Sequence, residues 1–252
     1  MKKIFLGICS VFIIFSLASC SIFGGKKTID TSDAQIIMNN NSVSDVYSNV
    51  KNSCIGIYAN DSLNAYSGSG VVVKQDGIKY YAITNYHVIH GTTNVEVLIN
   101  NKTYITASVE ATDPSRDLAC LSFEAAEKYN VSVSSFPKDE IIINPGQTVI
   151  AIGCPLGLSN FNTVTKGIAS RDVFSLNFTT ELGTYSSVDV IQHDAPINSG
   201  NSGGALFNMN SEIIGINFEK TIVSSDNVIV EGMGYAIYYK EVLDFLKTNA
   251  IM

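Results

Sequence analysis

The chain has 252 residues, of which 46% are apolar, and a formal net charge of −7. Once roughly 50 N-terminal residues that do not look like core are set aside, the length allows one all-β domain or two small barrels. An acidic balance with only two arginines provides no basic face, so we expect no nucleic-acid partner. The sequence contains neither a zinc-like spacing of cysteine and histidine nor a repeat of fixed period.

The N-terminal segment is typical of an export signal. Lys2 and Lys3 precede an apolar stretch, Ile4 to Leu17, which is shorter than the roughly 20 residues that span a bilayer as a helix. The stretch ends in Leu-Ala-Ser-Cys20, which resembles the lipobox of bacterial lipoproteins, whose cysteine is lipidated. We therefore expect residues 1–19 to be removed, and the mature protein to be anchored through Cys20 on the extracytoplasmic face of a bacterial cell membrane.

Behind this signal, residues 20–45 are polar and are predicted to form a tether. A weak helical spacing over Val43–Asn52 indicates a short lead-in helix. From Cys54 onward, twelve short apolar runs alternate with turn residues, Tyr104–Ala111 among them, and this is typical of β-sandwiches and barrels. The pattern predicts an all-β domain over residues 46–252, with barrels at about 53–135 and 140–238 and a closing helix at about 239–248.

Cys54, Cys120 and Cys154 are the cysteines of the predicted domain. An odd number cannot complete a disulfide framework. Cys54 and Cys120 lie in apolar runs and are predicted to be small buried hydrophobic residues, with one disulfide among the three left open.

A glycine-rich turn, Asn198–Gly204 (NSGNSGG), places Ser202 between two apolar runs. Glycine permits backbone angles that other residues avoid, and the N–H groups of such a turn can point at a developing oxyanion. The same composition also builds ordinary hairpin loops. A serine hydroxyl needs a base, and the base needs a group that orients it, so Ser202 is a candidate nucleophile only if both are present.

The chain offers three histidines as the base. His87 lies at the end of an apolar strand, and a strand end can present a side chain rigidly. His90 follows in a glycine-containing loop and is expected to be exposed. His193 closes a strand nine residues before Ser202 and is expected to have a structural role.

Two aspartates are candidates for the orienting acid. Asp113 precedes proline and is typical of a turn, whereas Asp117 directly precedes the apolar run Leu118–Leu121 and is placed to lie beneath an imidazole. His87, Asp117 and Ser202 then follow one another with gaps of 30 and 85 residues, one of several chain orders used for this constellation.

Eight stretches, in chain order, resemble the HtrA/Deg branch of the trypsin-like serine proteases. Together they span roughly residues 46–245. They are Ser67–Val72, Ile83–Val88, Asp113–Leu121, Ala151–Gly157, Val164–Ser170, Gln192–Leu206, Ile213–Asn217 and Gly232–Ile237.

The resemblance implies a trypsin-like double β-barrel with the active site between the barrels. His87 would act as general base and then general acid, Asp117 would hold its tautomer, and Ser202 would be the nucleophile. The backbone N–H groups of Gly200 and Ser202 would form the oxyanion hole. The expected reaction is hydrolysis of peptide bonds in unfolded or exposed proteins through an acyl-enzyme, without cofactor or metal.

The substrate pocket is assigned to Ile197, five residues before Ser202, and to Asn217. An apolar residue at Ile197 favours a small or medium aliphatic side chain in the substrate.

Several positions depart from the family. Asn201 stands where zymogen-activated relatives have an aspartate, so we expect no activation by N-terminal cleavage, and activity should depend on the loops Ser199–Asn201 and Phe218–Gly232. His193, Pro196 and Ser199 are further departures.

Many relatives carry PDZ domains after the protease and are trimers. Here no PDZ domain is expected, and a homo-oligomer is left open. Two alternatives also stay open: a catalytically latent binding or chaperone-like protein, and a processing protease of narrow specificity.

Overall fold

The computed structural model describes residues 41–218 and 232–252. The predictions for the signal peptide, for Cys20 and most of the tether, and for most of the loop Phe218–Gly232 lie outside the described residues. Within the described ranges, no helix is both long and apolar enough to cross a membrane.

Within these residues, fourteen strands form two antiparallel sheets of seven strands each. The first sheet has the order β5-β4-β1-β2-β3-β7-β6, and the second has the order β10-β11-β14-β13-β12-β8-β9. The strands of the first sheet are β1 (Cys54–Asn60), β2 (Ala65–Asp76), β3 (Lys79–Thr84), β4 (Asn94–Ile99), β5 (Thr103–Thr106), β6 (Ser108–Asp113) and β7 (Leu118–Glu124). Those of the second are β8 (Thr148–Gly153), β9 (Thr163–Ile168), β10 (Phe174–Thr179), β11 (Tyr185–His193), β12 (Ala205–Phe207), β13 (Ile213–Phe218) and β14 (Gly234–Tyr238).

The connections between edge strands require both sheets to curl. Strands β5 and β6 lie at opposite edges of the first sheet, yet only Ala107 separates them in the chain. Strands β9 and β10 are the two edges of the second sheet, and residues 169–173 join them. Because consecutive residues are about 3.8 Å apart, the two edges of each sheet must come together. The predicted all-β, two-barrel fold is confirmed.

Strand β7 and the end of β3 are buried on both faces. Along β7, Ala119, Leu121 and Phe123 pack into a cluster inside the first sheet, while Leu118 and Cys120 pack into the larger cluster that the second sheet forms. This alternation follows from the two-residue period of a strand. Residues that end β3 and begin β7 are therefore held between two cores, which fixes the segments that carry His87 and Asp117.

Two single 3₁₀ turns (Glu127–Tyr129 and Leu158–Asn160) and three α-helices complete the described fold: α1 (Val43–Val50), α2 (Tyr86–Ile89) and α3 (Tyr239–Thr248). Helix α1 begins with a capping box between Ser42 and Asp45, and it starts within the residues assigned to the tether. Helix α3 buries Val242, Phe245 and Leu246 on one face, as the helical spacing of the sequence predicted.

Two strand predictions were wrong. Tyr104–Ala111 is not one strand, because the chain leaves one edge of the sheet at Thr106 and joins the opposite edge at Ser108. Strand β10 was missed because its residues are mostly half-buried or exposed and carry polar side chains at alternate positions.

The three cysteines of the described domain are free and buried. Burial raises the pKa of the Cys54 and Cys120 thiols to about 12, so the reactive thiolate is disfavoured. Their prediction as buried hydrophobic residues is confirmed.

Candidate active site

His87 and Asp117 make two hydrogen bonds to each other. The Nδ1 atom of His87 lies 2.7 Å from Oδ2 of Asp117, and the backbone N–H of His87 donates to Oδ1 at 2.9 Å. A carboxylate only accepts, so Nδ1 donates this hydrogen bond, and in the neutral imidazole Nε2 is then the acceptor nitrogen. The carboxylate is 6% exposed and the imidazole 25% exposed. The pair therefore presents a basic nitrogen in a fixed orientation.

The backbone around Asp117 explains how the carboxylate reaches His87. Asp117 has a left-handed φ of 56°, which costs energy for a residue other than glycine. Its carbonyl oxygen accepts hydrogen bonds from the backbone N–H of Tyr86 at 3.1 Å and from Nδ2 of Asn85 at 2.9 Å. These bonds join the start of β7 to the start of α2. His87 itself lies in the one-turn helix α2, directly after β3, and not on the strand.

Asp113 and His90 make hydrogen bonds to other residues and not to the His87–Asp117 pair. Oδ1 of Asp113 accepts from the backbone N–H of Ser115 at 2.9 Å, and Oδ2 accepts from Nε of Arg116 at 2.6 Å. Asp113 is thus the organising residue of a turn. His90, expected to be exposed, is half-buried, and its Nδ1 lies 2.7 Å from the hydroxyl of Tyr86.

The turn that carries Ser202 is held by backbone contacts. The carbonyl oxygen of Ser202 accepts from the N–H of Ser69 at 2.9 Å, and the N–H of Gly203 donates to the carbonyl of Asn217 at 2.9 Å. Gly203 has a φ of +85°, and a Cβ atom there would lie 2.2 Å from the carbonyl oxygen of Ser69. The close approach of the two sheets at this point requires glycine.

Two further hydrogen bonds set the directions of the N–H groups of Gly200 and Ser202. The N–H of Leu156 donates to the carbonyl of Ser199 at 2.6 Å, and the N–H of Gly204 donates to the carbonyl of Asn201 at 3.0 Å. In a trans peptide the N–H points opposite to the C=O. The N–H groups of Gly200 and Ser202 therefore point away from these partners.

His87 and Ser202 line one open cavity of about 510 Å³. The cavity continues along the start of β2. Its described lining residues are Ala65, Tyr66, Ser67, His87, Val88, Ser199, Gly200 and Ser202. Sequence-predicted site residues from two separate regions of the chain, His87 and the turn of Gly200 and Ser202, thus share one solvent-accessible site.

Ile197 and Asn217 are not among the described residues that line this cavity. Ile197 is half-buried against the larger core cluster, and Asn217 is fully buried. Their assignment to a substrate pocket stays a prediction.

His193 is also fully buried, with its ring against Gly234, where a Cβ atom would lie 2.6 Å from Cε1. Neither ring nitrogen makes a hydrogen bond of normal geometry, and the same is true of the side-chain amide of Asn217. Burial lowers the pKa of His193 to about 4, while the nearby Ala195 backbone and the Asn217 side chain act in the opposite direction. His193 is therefore a neutral imidazole behind the nucleophile turn.

Sequence reasoning missed two residues that shape the turn, Ser69 and Leu156. Ser69 was visible only as part of the glycine-containing run Ser67–Val72. Leu156 acts through its backbone N–H, from a left-handed φ of 60°, and its side chain is 76% exposed. Among the described residues, no group of three or more metal-ligating side chains is placed to bind a metal ion.

Comparison with known proteins identifies a family for this chain. A family model described as a trypsin-like peptidase domain matches residues 68–216, more than half of the chain. The active form of the Rv3671c protease from M. tuberculosis matches with a TM-score of 0.67 at 24% identity, covering 80% of this chain and 82% of that chain. This likeness supports the fold.

Two curated relatives are similar in sequence. Serine protease Do-like HtrA of Lactobacillus helveticus is 45% identical over 185 residues, covering 73% of this chain and 43% of that protein. Its namesake from Lactococcus lactis subsp. cremoris is 38% identical over 190 residues, covering 75% of this chain and 46% of that protein. The chain thus spans less than half the length of these relatives. The chain belongs to the trypsin-like peptidase family, and in sequence it is similar to the HtrA serine proteases.

Proposed function

We propose that this protein is a serine endopeptidase in which Ser202 is the nucleophile, His87 the base and Asp117 the orienting acid. The observation that carries the proposal is the doubly hydrogen-bonded His87–Asp117 pair, whose imidazole opens into the same cavity as Ser202. Nε2 of His87 takes the proton of the Ser202 hydroxyl as Oγ attacks the peptide carbonyl carbon, and then returns it to the leaving amine. Water repeats the sequence on the acyl-enzyme and releases the acid.

The N–H groups of Gly200 and Ser202 would stabilise the negative charge on the substrate oxygen. Each of these N–H groups shares a peptide with a carbonyl group, that of Ser199 or Asn201. These carbonyls accept hydrogen bonds from the N–H groups of Leu156 and Gly204, on the side opposite the oxyanion hole. This arrangement supports a turn that rests in its active shape, and it favours an active enzyme over the latent binding protein.

The decisive experiment treats the mature chain with a fluorophosphonate probe and with unfolded casein. The variants are Ser202→Ala, His87→Ala and, as a matched control, His90→Ala, whose imidazole is in the same short segment but contacts Tyr86. We expect wild type and His90→Ala to be labelled and to cleave, and the first two variants to do neither. Wild type that neither labels nor cleaves would refute the peptidase proposal. Cleavage of one native protein, without cleavage of casein, would favour a processing protease.

We also propose that the protein acts on extracytoplasmic proteins while anchored through lipidated Cys20. Support comes from the basic, apolar and lipobox-like elements of residues 1–20. The test is metabolic labelling with a fatty acid in cells that express wild type, Cys20→Ser or Cys9→Ser. Labelling lost only in Cys20→Ser is the expected result; because Cys9 lies in the segment to be removed, its variant is the control.

A further inference from the structure

Ser69 belongs to β2 of the first sheet, but its polar contacts reach the loops of the second sheet. Its side chain is fully buried. The hydroxyl donates to the carbonyl oxygen of Gly200 at 2.7 Å and accepts from the N–H of Cys154 at 2.8 Å. Its backbone N–H donates to the carbonyl of Ser202 at 2.9 Å. One serine thus contacts the two residues whose N–H groups would form the oxyanion hole.

Contacts within the first sheet fix the position of Ser69. Ser69 pairs with Gly56 of β1, and its carbonyl accepts from Oγ1 of Thr84 at 2.8 Å. Thr84 ends β3, three residues before His87. The same serine therefore connects the strand that leads to His87 with the turn that carries Ser202.

Gly200 is fixed from both sides. Leu156 holds the carbonyl of the preceding peptide at 2.6 Å, and Ser69 holds the carbonyl of the following one. Gly200 has a φ of +96°, and a Cβ atom there would lie 2.3 Å from the carbonyl oxygen of Cys154. The peptide after Gly200 is also held by the Asn201 N–H, which donates to the carbonyl of Asn198 at 2.9 Å. Since glycine has the widest choice of backbone angles, hydrogen bonds on the two flanking peptides together restrict the orientation of its N–H.

We propose that Ser69 is a positioning residue for the oxyanion hole. Its hydroxyl bridges the Cys154 N–H and the Gly200 carbonyl, and so keeps the Gly200 N–H aimed at the oxygen of the bound substrate. Ser69 does not touch the substrate. The proposal rests on the proposed peptidase function.

The competing explanation is that Ser69 only fills space and satisfies buried polar groups. The chain offers a matched control in Ser53, which is also fully buried and whose hydroxyl bonds the Val50 carbonyl and the Ser134 hydroxyl. None of these partners belongs to the candidate site. Loss of either hydroxyl leaves buried groups without a partner and should lower stability to a similar extent.

The test compares Ser69→Ala and Ser53→Ala with wild type by kcat and KM on a peptide substrate, and by affinity for a peptidyl trifluoromethyl ketone, which forms a tetrahedral adduct with the nucleophile. Removing an oxyanion donor outright costs on the order of 10²–10³ in rate. Because Leu156 still holds one side of Gly200, we expect Ser69→Ala to lose about tenfold to a hundredfold in kcat, with KM within about twofold. Its affinity for the ketone should fall in parallel, and Ser53→Ala should change neither.

Ser69→Cys separates hydrogen bonding from packing, since a thiol fills the space but bonds weakly. We expect Ser69→Cys to remain as slow as Ser69→Ala. If the alanine variant does not fold, Ser69→Cys is compared with wild type and Ser53→Ala in its place. Full activity per folded molecule in Ser69→Ala, full recovery in Ser69→Cys, or an equal loss of kcat in Ser53→Ala would each overturn the proposal. Wild type inactive toward probe and peptide would instead overturn the peptidase function, so the two failures are distinguishable.

Discussion

Arg116 and Asp244 form an ion pair, with Nη1 of Arg116 2.7 Å from Oδ2 of Asp244. Arg116 directly precedes Asp117, and Asp244 lies on α3, so this pair attaches the turn of the candidate acid to the C-terminal helix. The same guanidinium donates to Asp113 at 2.6 Å and lies over the ring of Phe245, with 6.0 Å between Cζ and the ring centroid. These contacts of Arg116 help to hold the adjacent left-handed backbone of Asp117.

Replacing Arg116 by alanine should therefore lower both stability and turnover. The Arg116 side chain is 17% exposed, and the substitution removes its ion pairs with Asp113 and Asp244. We therefore expect the free energy of unfolding to fall by about 1–3 kcal/mol. Lys240→Ala is the control, because it removes an exposed pair with Glu140 from the same helix, worth about 0–1 kcal/mol. Urea unfolding and kcat measure the two effects. Equal effects of the two variants would show that Arg116 is an ordinary surface charge.

Asp117→Asn should abolish most of the turnover without unfolding the protein. An asparagine amide can donate to Nδ1 of His87, which moves the imidazole proton to Nε2 and leaves no base facing Ser202. The same change in a trypsin-like enzyme costs about 10⁴ in kcat, and we expect a loss of that order here. Asp113→Asn, which removes a carboxylate that pairs with Arg116 and makes no hydrogen bond to His87, is the comparison. Turnover of Asp117→Asn within tenfold of wild type would remove Asp117 from its assigned role.

The candidate triad could be predicted because each member has a local context in the sequence: a strand end before His87, a strand start after Asp117, a glycine turn around Ser202. The contacts that shape the turn carry no such signal. Ser69 bonds a residue 131 positions away, and Leu156 acts through a backbone N–H that every residue except proline possesses. The break at Ala107 was missed for a similar reason, because barrel closure and not residue type separates β5 from β6.

Alanine at Gly200 should inactivate the protein. A Cβ atom would lie 2.3 Å from the carbonyl oxygen of Cys154, and the φ of +96° disfavours any L-residue, so the peptides on both sides must turn. Gly146→Ala separates the unfavourable φ from the steric overlap. Gly146 has a similar φ of +86°, but the space around the added atom is open. We expect fluorophosphonate labelling to be lost in Gly200→Ala and retained in Gly146→Ala, at a cost to the latter of about 1 kcal/mol in stability. Labelled Gly200→Ala would show that the turn tolerates another backbone path.

The buried His193 should make the protein acid-sensitive. Its pKa is lowered to about 4 in the folded state by burial, against an ordinary value of about 6.5 in the unfolded chain. Between these pH values the unfolded state binds more protons, so stability falls as pH falls from about 6.5 to about 4, by up to about 3 kcal/mol, and is independent of this group above 6.5. His193→Phe keeps a ring of similar size and cannot titrate. Denaturant unfolding at several pH values should give a flatter profile for His193→Phe than for wild type and His90→Ala, and three parallel profiles would show that His193 does not control acid stability.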